Sequence, residues 1–132
     1  MLAGGLIACK SKYQATVALS STKAKFTASA EAGKTISHTR AILQELGYKQ
    51  YQPTTLYIDN QGALHMANAE QPTRRTHRMD AKIFAIQQWV KEEHMALQPI
   101  TTQNNTAEHF SKALGCAKFH EQTNTLMGRM KP

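Results

Sequence analysis

A chain of 132 residues with 41% hydrophobic content allows one domain that buries roughly two-thirds of its unfolded surface. It contains no apolar run near the roughly 20 residues a membrane helix needs. The 16 Lys and Arg against nine Asp and Glu give a net charge of +7, which favours polyanions, nucleic acid before anionic membrane. No basic amphipathic helix with an aromatic face argues for the membrane. The N-terminus has no charged leader and h-region of the secretory kind, so the expectation is an intracellular protein, cytoplasmic or nuclear. Cys9 and Cys116 form no motif and read as reduced packing residues.

Residues 1–19 read as extended chain. Gly4-Gly5 is a turn, Leu6-Ile7-Ala8-Cys9 a first apolar strand and Thr16-Val17-Ala18-Leu19 a second short apolar run. Ser20-Ser21-Thr22 offers three helix caps. A helix follows to Leu46, rich in alanine and carrying Phe26, Ala30, Ile36, Ile42, Leu43 and Leu46, with Gly47 placed to stop it. Gly33 in its middle marks close packing on a sheet. After a connector, residues 54–59 form a short buried strand that ends in Asp59, and a short helix spans 61–68.

Residues 69–78 are a polar, basic loop containing Pro72. Met79, Ile83, Ile86 and Val90 then fall on one stripe at the helical period, widened by Phe84 and Trp89. Residues 95–101 read as a last strand, pushed toward an edge by Pro99. Residues 107–114 and 119–127 read as helices separated by Gly115. The order of elements is that of an α/β domain with a small sheet and flanking helices. Nothing in the composition marks an internal boundary, so residues 1–132 read as a single domain.

Acids are few, so each position carries information. Asp59 stands at a strand end with a helix starting beside it, the usual geometry of an α/β site; an Asp-Asn turn is the plain alternative. Glu108 begins a helix after the final strand. Asp80 begins the amphipathic helix, where an acid complements the helix dipole, and the same holds for Glu108. Hydrolysis of a phosphodiester by two metals needs several such carboxylates clustered around cations about 4 Å apart, and hard cations such as magnesium select oxygen ligands. The six histidines show no ligand spacing, so zinc is not expected. No G-x-S-x-G motif is present. Basic residues gather at Lys10, Lys12, Lys23 and Lys25, and again at Arg74, Arg75, Arg78 and Lys82. Both clusters suit nucleic-acid contact.

Several motifs in register resemble a known family. They are Gly4-Gly5 through Lys10-Ser11-Lys12, then Thr16-Val17-Ala18-Leu19-Ser20-Ser21-Thr22-Lys23-Ala24-Lys25-Phe26, and Glu45-Leu46-Gly47. They continue with Tyr57-Ile58-Asp59-Asn60-Gln61-Gly62-Ala63, Arg75-Thr76-His77-Arg78-Met79-Asp80, Ala107-Glu108-His109-Phe110-Ser111-Lys112 and the Phe119 helix. In this order they resemble the ribonuclease H domain of Ty1/copia-type retrotransposon Pol polyproteins over essentially the whole chain. The resemblance implies a ribonuclease H-like fold, a five-stranded mixed sheet with helices on its faces. It also implies magnesium-dependent hydrolysis of the RNA strand of an RNA–DNA hybrid, with Asp59 and Glu108 as catalytic and metal-ligating positions. Lys10, Lys12, Arg74, Arg75 and Arg78 are the residues expected to contact nucleic acid.

The departures from the family pattern change that expectation. The family's first aspartate lies on a strand upstream of the glycine pair, so the residue and its strand are expected to be missing here. The family's serine-threonine motif reads S-S-T-E-A-E-Y, with the second glutamate a metal ligand. Lys25 stands in its place, and Lys23 replaces the other glutamate. Glu108 stands where the family has aspartate, and Arg78 where it has histidine. A lysine ammonium about 5 Å from a dication costs roughly 7 kcal/mol at an effective dielectric near 20. The site is therefore expected not to hold magnesium competently and not to cleave.

What remains is weak, sequence-independent binding to hybrid or duplex backbones. The alternatives are an interaction module without hydrolytic role, or a nuclease completed by a partner chain. In place of the lost strand, residues 6–9 are expected to pair in parallel with residues 56–58. Otherwise the sheet keeps an exposed edge that invites association.

Overall fold

In a computed structural model, placement is described for Leu2 and for residues 4–11, 21–68 and 80–129. The chain divides into two compact units, residues 16–100 and residues 1–15 with 101–132.

The larger unit begins with helix α1 (Ser21–Glu45). Phe26, Ser29, Ala30 and Gly33 are its buried residues, spaced so that one stripe faces inward. Ser29 Oγ, Thr35 Oγ1 and Thr39 Oγ1 each donate to the carbonyl four residues back, so these hydroxyls do not compete with the helix. Gly47 ends it as expected. At φ 88° it donates to Gln44 O at 3.0 Å while Tyr48 N donates to Leu43 O at 2.8 Å, the paired bonds of a Schellman motif. The connector that follows is held by Arg40. Its guanidinium donates to Gln52 O at 2.8 Å, Thr54 Oγ1 at 3.0 Å and Gln50 O at 3.2 Å.

Strand β1 (Thr54–Ile58) leads into α2 (Gln61–Asn68). After the polar segment come α3 (Asp80–Lys91) and strand β2 (Met95–Pro99). The two strands pair in parallel, with Thr54 opposite Met95 and Ile58 opposite Pro99. A parallel pair needs a long crossover, and the two helices lie on that connection. Ile100 N, not the nitrogen of Pro99, donates to Ile58 O at 3.1 Å, so the proline removes no bond from this ladder.

The core of this unit joins Phe26 and Ala30 of α1, Ile58 of β1, Ile83 and Ile86 of α3 and Met95 of β2. Leu56, Leu64, Trp89 and Val90 pack against it. The expected stripe of α3 is thus inward at Ile83 and Ile86. Phe84 is a correction: it is 55% exposed, since it lies one position off the buried Ile83 and points away from the stripe. Gly33 lies under the Trp89 ring, so close packing at that glycine is found.

In the smaller unit, an N-terminal turn bridges Leu2 and Gly5. Leu6 N then donates to Leu126 O at 2.9 Å, and Ser11 Oγ to Phe110 O at 3.0 Å. Two 3-10 turns, Thr102–Asn104 and Thr106–Phe110, precede helix α4 (Cys116–Leu126). Asn105 Oδ1 accepts from Ala107 N at 3.1 Å and caps the second turn.

Three further expectations are corrected. Residues 6–9 form no strand and do not pair with residues 56–58; β1 pairs with β2. Residues 107–114 are not an α-helix but a 3-10 turn followed by irregular chain. Both cysteines are exposed and free rather than packed. Residues 16–19, the expected second apolar run, lie outside the described residues. The described sheet has two strands, so the architecture is a mixed α/β one with a small parallel sheet.

Candidate functional site

Asp59 sits where β1 bends toward α2. Ile58 before it is buried in the core, which fixes the strand end, and Asn60 O accepts from Leu64 N at 3.1 Å to open the helix. The start of α1 packs beside this turn: a Cβ on Gly62 would lie 3.3 Å from the Thr22 methyl. One turn further along α1, next to the buried Phe26, Lys25 reaches the strand end. Its ammonium Nζ lies 2.8 Å from Asp59 Oδ1, with side-chain exposures of 41% and 16%. The aspartate is therefore mostly covered, and the cation beside it comes from the chain itself.

Glu108 belongs to the smaller unit. It is the acid of the second 3-10 turn and its side chain is only 7% exposed. A buried carboxylate is costly unless paired, and this one is paired twice. Lys112 Nζ, four residues on, donates to Oε1, and Lys118 Nζ from the first turn of α4 donates to Oε2 at 3.2 Å. The hydrogen bonds from Lys112 and then Lys118 hold its pKa below the ordinary glutamate value, against the opposing effect of burial.

The structure thus brings Lys25 to Asp59, and Lys112 and Lys118 to Glu108. Lys10 lies in the smaller unit and is exposed. Lys12, Arg74, Arg75 and Arg78 lie outside the described residues, and the Asp80 side chain is likewise not described. Among the described residues no group of three or more His, Cys, Asp or Glu could hold a metal ion. No described helix is long and apolar enough to cross a membrane.

Sequence reasoning missed the lysine partners of Glu108. Lys112 could have been found, since Glu and Lys at i and i+4 on one turn commonly pair. Lys118, ten residues on, leaves no such signal. Two buried polar atoms near this turn have no partner among the described residues, His109 Nδ1 and Gln122 Oε1. His109 is stacked on Phe119 at 4.7 Å, a packing role that its sequence position did not announce.

No family profile and no solved structure matches this chain. It is similar, at 34% identity over 116 residues, to the retrovirus-related Pol polyprotein from transposon TNT 1-94 of Nicotiana tabacum. The aligned part is 88% of this chain and 9% of that polyprotein, so the chain spans about a tenth of that relative's length. The similarity supports an origin in a retrotransposon Pol polyprotein.

Proposed function

We propose that this is a ribonuclease H-like domain of a copia-type Pol polyprotein whose expected metal-ligating acids, Asp59 and Glu108, are each neutralised by its own lysines. The observation that carries this reading is the 2.8 Å ion pair between Lys25 and Asp59. In the ancestral arrangement implied by the resemblance, four carboxylates would face two magnesium ions. Here Asp59 is paired with Lys25, and Glu108 separately with Lys112 and Lys118. The residues present do not fit magnesium: one oxygen of Asp59 and both oxygens of Glu108 are taken by ammonium groups.

An ammonium is a monovalent counter-ion that cannot be displaced by dilution, because its effective concentration is set by the fold. A magnesium ion entering beside Lys25 would meet repulsion of about 7 kcal/mol at 5 Å and an effective dielectric near 20. The exposure of Lys25 lets its side chain swing away, which lowers that figure but adds no ligand. The domain therefore retains a basic surface and loses hydrolysis.

The test pairs cleavage of an RNA–DNA hybrid, in magnesium and in manganese, with calorimetric titration of either metal into the full chain. No cleavage and no saturable metal binding are expected. Lys25→Glu should bring measurable magnesium binding, and a wild-type chain that cleaves the hybrid would sink the proposal. A second reading, completion by a partner chain that donates a strand and an acid, is favoured by the two-stranded sheet of the described residues. Cleavage that appears only when the neighbouring Pol segment is added would select it.

A further inference from the structure

We propose that a cavity beside the C-terminal half of α1 binds an organic ammonium group, with Glu93 as its counter-ion. The inference goes beyond the reading above and uses neither Asp59 nor Glu108. The cavity holds about 360 Å³, the size of a small-ligand site, and lies wholly within the larger unit. Ser37, Arg40 and Gln44 line it from one face of α1, at helical spacing. Tyr51 of the connector and Glu92, Glu93 and His94 of the turn between α3 and β2 also line it.

Two carboxylates and one guanidinium leave this lining with a formal −1, on a chain of +7. The guanidinium is engaged, because Arg40 donates to Gln50 O, Gln52 O and Thr54 Oγ1. Glu92 Oε1 accepts from Gln88 Nε2 at 2.7 Å, and Glu92 Oε2 lies 3.7 Å from His94 Nδ1. The Glu93 carboxylate has no hydrogen bond or ion pair among the described residues. Ser37 Oγ is buried and has no partner either, a costly state for a hydroxyl. An ammonium brings three donors, which match a carboxylate, a hydroxyl and the amide oxygen of Gln44. Tyr51, 86% exposed, adds an aromatic ring of the kind that attracts cations.

The backbone at Glu93 agrees with this assignment. Helix α3 ends as α1 does, with His94 N donating to Trp89 O at 2.9 Å and Glu93 N to Val90 O at 3.1 Å. Glu93 therefore stands where Gly47 stands on α1, in the left-handed region at φ 56°. A glutamate there carries strain that glycine would avoid, and the cavity gives its carboxylate a use. The C-terminal turns of both helices border the space, so the negative ends of their dipoles favour a cation. Glu92, Glu93 and His94 are consecutive but are not a group that could hold a metal ion. The cation that fits is organic.

The shared chemistry is the primary ammonium, whether it arrives as a free polyamine or as a lysine side chain of a partner. The test uses the full chain, labelled with nitrogen-15, titrated separately with putrescine and with N-acetyl-lysine methylamide. Saturable amide shifts at residues 37, 44 and 92–94 are expected with at least one probe. Glu93→Gln should weaken binding about tenfold, the weight of one charge-assisted hydrogen bond. Glu93→Gly should lose affinity to the same degree while its melting temperature rises, since the strain is relieved. Circular dichroism melting of each variant establishes that the fold is intact.

Saturation by putrescine alone assigns a free polyamine; saturation by the lysine compound assigns a side chain of a partner. No saturable shift with either probe, or equal affinity in a folded Glu93→Gln or Glu93→Gly chain, overturns the inference. The reading of Asp59 and Glu108 would stand in that case, because it shares no residue with this cavity.

Discussion

Gly33 is a point where α1 closely approaches its neighbours, and Gly33→Ala measures that crossing. A Cβ built there would lie 2.5 Å from Trp89 Cζ3, 2.7 Å from Trp89 Cε3 and 2.9 Å from Met95 Cε. Carbon atoms in contact sit about 3.5–4.0 Å apart, so the indole must retreat by about 1 Å. The methionine methyl can swing aside, because it is the end of a flexible side chain. The indole is rigid and packs against the core. Overpacking of this kind costs typically 1–3 kcal/mol. Replacing a mid-helix glycine by alanine returns up to about 1 kcal/mol.

The net expectation for Gly33→Ala is a loss of roughly 1–2 kcal/mol. The assay is urea unfolding followed by tryptophan fluorescence, since Trp89 is the single tryptophan. With a slope near 2 kcal/mol/M, the midpoint should fall by about 0.5–1 M, and the native emission should shift as the ring moves. A midpoint that stays put or rises would refute the reasoning, because only the helix-propensity gain would then be present.

Arg40→Ala removes two hydrogen bonds to the connector and one to Thr54 at the start of β1 and should cost about 1–3 kcal/mol. Hydrogen exchange at residues 48–54 should accelerate, and Arg40→Lys should not restore protection, since one ammonium cannot span three acceptors. Unchanged exchange would show that the connector is held by something else. The lowered pKa of Glu108 predicts a pH effect of definite sign. Between the native and unfolded values the folded state binds fewer protons, so stability is complete above the ordinary glutamate pKa of about 4.3. It drains away as pH falls through the lowered native value. Exchange of the α4 amides should rise in that acid window and should respond less to acid in Glu108→Gln. Equal acid sensitivity of the two chains would remove Glu108 as the cause.

Much of the larger unit was legible because its signals are local. Gly47 reads as a helix stop from its neighbours alone, and Ile83 and Ile86 read as core from spacing alone. Residues 6–9 were misread because a four-residue apolar run has no period. Its backbone partner, Leu126 O, lies far along the chain. Residues 107–114 were misread as a helix. The turn is tightened by Asn105 below it, and both Ser111 N and Lys112 N return to Glu108 O. Asp59 was legible as an acid at a strand end. That Lys25 meets it was legible only through the family motif, since 34 positions of sequence separation carry no signal of contact. The second lysine on Glu108 is a tertiary contact and was invisible.

The ion pair between Lys25 and Asp59 also sets what mutation can do next. On the proposed reading, a strand-end acid neutralised from within the chain needs no metal ion to fold beside its neighbours. In a chain that used magnesium instead, folding and metal supply would be linked, each stabilising the other by mass action. Exchanging Lys25 for glutamate in one step would set two carboxylates together before any ion is present to separate them. Removing Asp59 first would strand the lysine against the strand end. Under the proposed reading, a change from this ion pair to a metal-binding pair of carboxylates would pass through a less stable intermediate by either order.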